Sequence, residues 1–280
     1  MRRIFASLLI LCASPAGAQW LHYPAPGTPR TRDGKPNLSA PAPKRNGKPS
    51  LEGVWQIDAT PIEELRKQFG PVDALDVPGD DSGLFSKYML SVLADYPANE
   101  SPLLPGAAEI FKQREKRDSA DLPYTKCFPA GVPLSATLPF PFKIVQTPGL
   151  TLILHESDSL VRQVYTDGRK HTPDPQPTWT GYSVGHWEGE ALVVQTTGFN
   201  DAGWLDATGT PHSQELRTIE RFRRKDFGHL EVQVTLNDPR MHHFFLMERL
   251  VGANIPLDSV APHQMKLEDV FLRLTKGIVQ

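Results

Sequence analysis

Gly181-Tyr182-Ser183-Val184-Gly185 spells G-x-S-x-G. In serine hydrolases that pattern lifts a nucleophilic hydroxyl on a strained turn between a strand and a helix. The flanking residues argue against that use here. Glu188-Gly189 marks a tight turn and Leu192-Val193-Val194 continues as a strand, so no helix follows the serine. The motif reads instead as two glycines in a twisted strand under a tryptophan. Acid–base chemistry needs a histidine and a carboxylate within hydrogen-bond reach, and the candidates are His186, Glu156 and His212. The chain has nine histidines, but neither His-x-His nor His-Glu-x-x-His occurs among them. His155, His186 and His212 would suit zinc if they converged on one barrel mouth. Spacing brings no such set together, so no metal and no other cofactor is expected.

Arg162, Glu156, Glu220 and Arg221 are charged residues at strand positions. Charges facing a barrel interior must be paired; such pairs lock the fold or read a polar ligand. For a bound small molecule the candidate contacts are Trp179, Tyr182, His186, Trp204, Asp206, His212, Glu220 and Arg162. Trp179, Trp187 and Trp204 would supply aromatic walls. Each tryptophan taken alone serves equally well as a plug anchoring its loop to the barrel rim.

The elements that must position these residues change character along the chain. Residues 19–50 are dense in Pro, Gly and Lys and repeat Gly-Lys-Pro-x-Leu at Gly34–Leu38, with a close echo at Gly47–Leu51. Such a segment buries little apolar area and reads as an extended arm. Leu51–Ile57 is the first strand. Thr60, Pro61 and Glu63 then have the pattern of a capping box, opening a helical insertion at about 61–120. Ser82–Tyr96 and Pro105–Arg117 are its helix candidates. From Phe140 the apolar period becomes two. Lys143–Thr147, Leu150–Glu156, Leu160–Thr166, Gly181–Trp187, Leu192–Thr197, Arg217–Arg224 and His229–Leu236 read as strands. Pro148-Gly149, Asp167-Gly168, Glu188-Gly189 and Asp226-Phe227-Gly228 supply turns, which predicts antiparallel neighbours. The fold class is therefore mainly β: an antiparallel barrel or strongly curved sheet, lipocalin-like in outline, with a few accessory helices. Two longer loops, His171–Trp179 and Asn200–Ser213, interrupt the meander. Both open at the same end of the hairpin 181–197, and a site is expected between them.

Several segments resemble a large family of uncharacterised secreted bacterial proteins, common in acidobacteria and proteobacteria. They are Cys127–Pro133, Gln146–Gly149, Arg162–Arg169, Ser183–Val194 (S-V-G-x-W-E-G-[DE]-x-L-V-V), Thr197–Asn200, Trp204–Asp206, Pro211–Ser213 and Glu220–Phe222. The resemblance implies a compact, barrel-like β fold and no activity to carry over. Gln195 stands where the family usually has Asp. Residues 241–280 diverge from the family, and Met265–Lys276 is similar to the Leu-Glu-Asp-Val-Phe-Leu-x-Leu-Thr end of ABC-transporter ATPase subunits. No phosphate-binding glycine loop accompanies it.

Arg2-Arg3, the apolar run Ile4–Ala13 and the small-x-small Ala16-Gly17-Ala18 follow the order of a signal peptide, removed at about residue 18. A periplasmic or secreted protein is expected, with no transmembrane segment in the mature chain. Cys12 leaves with the signal, so Cys127 has no intramolecular disulfide partner. A formal charge of −2 argues against nucleic acid as a partner. Three functions fit these observations. A barrel protein binding a small, partly apolar ligand comes first. An enzyme of the same fold using a His–carboxylate pair is the second, and a structural envelope protein without a pocket is the third.

Overall fold

A computed structural model of the chain describes residues 27–70, 85–97, 100–117, 120–241 and 244–252. The segment expected to be a signal peptide, the ATPase-like tail segment and the start of the 82–96 helix candidate lie outside these residues. The chain divides into two units, residues 37–254 and residues 1–36 with 255–280. In the second unit the described part, 27–36, is a turn closed by an isolated bridge between Arg30 and Pro36.

In the larger unit, β1 (Lys44–Arg45) and β2 (Lys48–Pro49) form a small hairpin within the arm. The preceding residues do not run free: Phe227 and Gly228 donate their backbone N–H groups to Ala40 and Leu38, both at 2.7 Å. β3 (Gly53–Ile57) follows. The insertion contains α1 (Ile62–Phe69), α2 (Lys87–Leu90) and α3 (Pro105–Lys116). The expected capping box does not form, because no side chain caps α1. Thr60 Oγ1 instead accepts the N–H of Lys87 at 3.0 Å, tying α1 to α2. A fourth helix, α4 (Leu134–Thr137), precedes the main strand run. That run comprises β4 (Phe142–Thr147), β5 (Leu150–His155), β6 (Val161–Tyr165), β7 (Tyr182–Glu188), β8 (Ala191–Thr197), β9 (Arg217–Arg224), β10 (His229–Asn237) and β11 (Phe244–Gly252).

The strands from β3 to β11 close into a barrel in the order β10-β11-β3-β4-β5-β6-β7-β8-β9. The protein is mainly β, as the period-two alternation predicts. In β10, Leu230, Val232, Val234 and Leu236 are buried and lie on one face, each contributing about 1.5–3 kcal/mol by leaving water. They meet Trp55, Phe142, Ile144, Ile153, Val164, Leu192, Val194 and Phe222 in one core. Two features depart from the expected meander. β6 and β7 pair in parallel, through Val164↔Ser183 and Tyr165↔Val184, because residues 166–181 are long enough to carry the chain back to the end where β6 began. And β11, inside the segment expected to be a divergent tail, pairs with β10 and β3 and completes the barrel.

Candidate functional site

Alternation on β6 aims Arg162 into the barrel, where it is 2% exposed. Its Nη1 donates to Glu220 Oε1 at 2.9 Å and its Nη2 to Glu220 Oε2. Nη2 also donates to Thr196 Oγ1 at 2.8 Å, and Nε to Ser183 Oγ at 3.2 Å. A guanidinium fork paired with a carboxylate is the geometry in which a buried charge is tolerated. The partners lie on β7, β8 and β9, so the cluster laces β6 across its short parallel pairing. Ser183, the G-x-S-x-G serine, is a buried member of this network, held by Arg162 and by Thr196 at 2.9 Å. The motif's glycines are packing positions. Gly181 has φ +65°, and a Cβ there would lie 2.6 Å from Thr196 Cγ2; at Gly185 a Cβ would meet Val164 Cγ1 at 3.0 Å.

Beside the pair, His155 is buried against Phe142, with ring centroids 5.3 Å apart. Burial, aided by the positive charge of Arg162, pushes it down to about 4, so the ring is neutral at pH 7. The barrel interior keeps a cavity of about 20 Å3 bordered by Thr137, His155, Arg162 and Glu220 together with apolar side chains. That volume holds about one water molecule; core and ion pair occupy the rest.

The acid–base candidates do not meet. His186 sits on the outer wall with Nε2 3.0 Å from Glu188, which in turn accepts from Arg221 Nη2 at 2.7 Å. This exposed row holds Glu188 below the usual carboxylate range, Arg221 contributing most. Glu156 is exposed where β5 ends, its N–H bound to Pro141 O at 3.1 Å, and no bond joins it to His186. Tyr182, also outward, lies 5.3 Å from the ring of Tyr165 and 6.1 Å from that of His171.

The 200–213 loop is built as support. Trp204 is buried under the guanidinium of Arg114, 4.5 Å from the ring centroid. Asp206 accepts five hydrogen bonds: from Thr208 Oγ1, the N–H groups of Gly209 and Thr210, the Thr210 hydroxyl, and the distant N–H of Val92 at 2.9 Å. Burial pushes its carboxyl up, and the Thr210 hydroxyl and N–H oppose that most strongly. His212 donates Nδ1–H to Ser213 O at 3.0 Å, and burial pushes its ring down. Asp238 accepts from the N–H and hydroxyl of Ser213 at 2.7 and 2.9 Å. Trp179 stacks on Phe128 at 5.2 Å. Both loops do emerge at one end: Thr178 N–H donates to Gly198 O and Asn200 N–H to Thr178 O, each at 2.9 Å.

At that end opens a cleft of about 670 Å3 between residues 171–177 and the ends of β8 and β9. This is a ligand-sized volume. Trp179, Trp204, Asp206 and His212 do not border it. Its polar border includes His171, Gln195, Thr197, Gln214, Arg217 and Thr218; its apolar border includes Pro173, Pro175, Leu216 and Ile219. One polar side-chain atom of the border, His171 Nε2, is buried without a hydrogen-bond partner; the Thr218 hydroxyl also lacks one, but Thr218 shares the inward face of β9 with Glu220. His171 Nδ1 lies 3.3 Å from Thr197 Oγ1. Burial first, and then the charge of Arg217, push this ring down. Arg217 is exposed and makes no ion pair among the described residues. Asp174 and Glu215 complete the titratable border.

The cleft opens at the end of the barrel where the sequence places a site, and none of the residues named there as ligand contacts borders it. The cue in the sequence was the tryptophans, and these anchor loops. The cleft's own signal lies in the paired ends of β8 and β9, whose outward Gln195, Thr197 and Arg217 stand beside the long 166–181 connection. No group of three or more metal-ligating side chains assembles among the described residues. No helix among them is long and apolar enough to cross a membrane. Comparison with protein-family models, with curated proteins and with solved structures finds no match to this chain.

Proposed function

We propose that the chain is an exported binding protein that holds a small, partly apolar molecule in the cleft beside residues 171–177. The observation that carries this reading is the cleft itself: a ligand-sized volume with an apolar flank, a polar flank, and a buried polar atom, His171 Nε2, lacking a partner. Each unpartnered buried group costs about 1–3 kcal/mol, a cost that a ligand's hydrogen bonds would offset. Binding is favoured over catalysis because His171, the histidine on the cleft border, bonds to Thr197 and to no carboxylate. With the barrel interior filled, the mouth is left as the place for a ligand. Export rests on the order of charge, apolar run and small residues at the N-terminus, and on the likeness of Ser183–Val194 to a secreted bacterial family.

Native mass spectrometry of the chain recovered from the envelope fraction of its source cells tests the reading. An added small-molecule mass is expected, and Ile219→Trp, which fills the cleft from its exposed border, should abolish it. Equal occupancy in both proteins would refute the placement.

A further inference from the structure

The residues on the cleft's polar side are not chemically neutral. Arg217 projects a guanidinium that no carboxylate among the described residues neutralises, although Asp174 and Glu215 border the same cleft. An arginine with carboxylates near it and no ion pair is available for an external acceptor, because its five N–H groups can only donate and the described residues engage none of them in an ion pair. His171 stands close enough for the arginine's charge to disfavour its protonation. In the neutral ring one nitrogen carries a proton and the other does not. If Nδ1 accepts from the Thr197 hydroxyl, Nε2 carries the proton, and this is the atom left buried without a partner. Two donor groups, Arg217 and His171, border one cleft, and the one permanent charge between them is positive.

We propose that the cleft recognises its ligand through an oxyanion group, a carboxylate or a phosphate, held by Arg217 with His171, while the ligand's apolar part lies against Pro173, Pro175 and Ile219. The proposal rests on the cleft being the binding site. Asp174 and Glu215 restrict it to ligands of low charge, since each further negative charge would be repelled at short range.

Isothermal titration of the full chain with hexanoate, hexyl phosphate and the neutral hexanamide tests it. Hexanoate or hexyl phosphate should bind at least about tenfold more tightly than hexanamide, the equivalent of one charge-assisted hydrogen bond. The preferred anion identifies the oxyanion. Arg217→Gln should erase the preference and leave the unfolding midpoint unchanged, since Arg217 is exposed. His171→Gln should weaken the anion's binding further than that of the amide. Equal binding of the amide and both anions, or an anion preference that survives Arg217→Gln, would overturn the oxyanion assignment while leaving the cleft as a site. Absence of binding by all three probes would also overturn it. The co-purified mass and its response to Ile219→Trp judge the cleft reading separately.

Discussion

Glu220→Gln keeps the shape of a buried side chain and removes its charge. The Arg162 guanidinium would remain 2% exposed, with no countercharge and only neutral acceptors, the Gln amide oxygen and the Ser183 and Thr196 hydroxyls, the latter at 3.2 and 2.8 Å. A unit pair at hydrogen-bond range is worth about 4 kcal/mol at an effective dielectric constant of 20. Breaking a buried pair from one side costs about 3–5 kcal/mol, so the two routes agree. For a folded unit of about 220 residues the loss corresponds to a fall in Tm of roughly 8–16 °C. Urea unfolding followed by tryptophan fluorescence measures it. Arg162→Met sharpens the argument, because it strands a group that can neutralise itself. The lone buried carboxyl would have a folded-state pKa above its unfolded value of about 4.3. Its penalty is therefore absent below that value and grows as pH rises toward the folded pKa. Measured against the parent protein at each pH, the Arg162→Met loss should shrink from pH 7 to pH 4.5, whereas the Glu220→Gln loss should not, since arginine keeps its proton. A Glu220→Gln cost under about 1 kcal/mol, or the same pH response in both variants, would refute the reasoning.

Three further outcomes are expected. The His155 ring titrates at about 4 in the fold and at about 6.5 in the unfolded chain, so its contribution is intact above pH 6.5 and drains away as pH falls toward 4. By pH 5 the loss should reach about 2 kcal/mol, and His155→Phe should remove that part of the acid sensitivity in urea titrations at pH 7 and 5. Asp206→Ala strands the five donors that converge on it; a loss of about 3 kcal/mol or more and earlier proteolytic nicking between residues 204 and 212 are expected, and an unaltered nicking rate would count against its organising role. Gly181→Ala meets Thr196 Cγ2 at 2.6 Å with φ +65° and should cost about 2 kcal/mol or more, while Gly168→Ala, φ +83° with nothing within 4 Å, should cost only about 1–2 kcal/mol; equal midpoints for the two would show that crowding at Gly181 is relieved elsewhere.

The barrel was legible because its strands carry period-two alternation bounded by Gly and Pro turns, and both signals are local. Val232 and Val234 announce an inward face without reference to any partner. What stayed hidden depends on distance along the chain. Nothing around Tyr165 or Ser183 tells a reader that their strands run parallel. That follows from where residues 166–181 lay the chain down. Arg162 and Glu220 were recognisable as charges on strands, but their pairing is set by barrel closure. The role of Trp204 stayed open between ligand wall and loop plug because an aromatic ring in a polar loop looks the same in either use; here it meets the underside of Arg114. Arg217 drew no notice because an exposed arginine at a strand start is ordinary, until the adjoining cleft and the neutral His171 give it a context.

The two-residue pairing of β6 with β7 has a consequence for how the molecule assembles. β4, β5 and β6 form one ribbon of neighbours joined by short connections, and β7 to β11 form another of consecutive antiparallel strands in which only β8 and β9 are parted by a long loop; β3 touches both, through three residue pairs on each side. Within each ribbon consecutive strands pair over five to eight residues, β8 with β9 over six despite the loop between them, whereas the joins close long loops for only two or three pairs each. The ribbons should therefore form early and the hoop close late, with the joins the first to open in the native state. Hydrogen exchange should find Val164 and Ser183 amides less protected than those of Val194 and Val232, although all four lie in the same barrel wall.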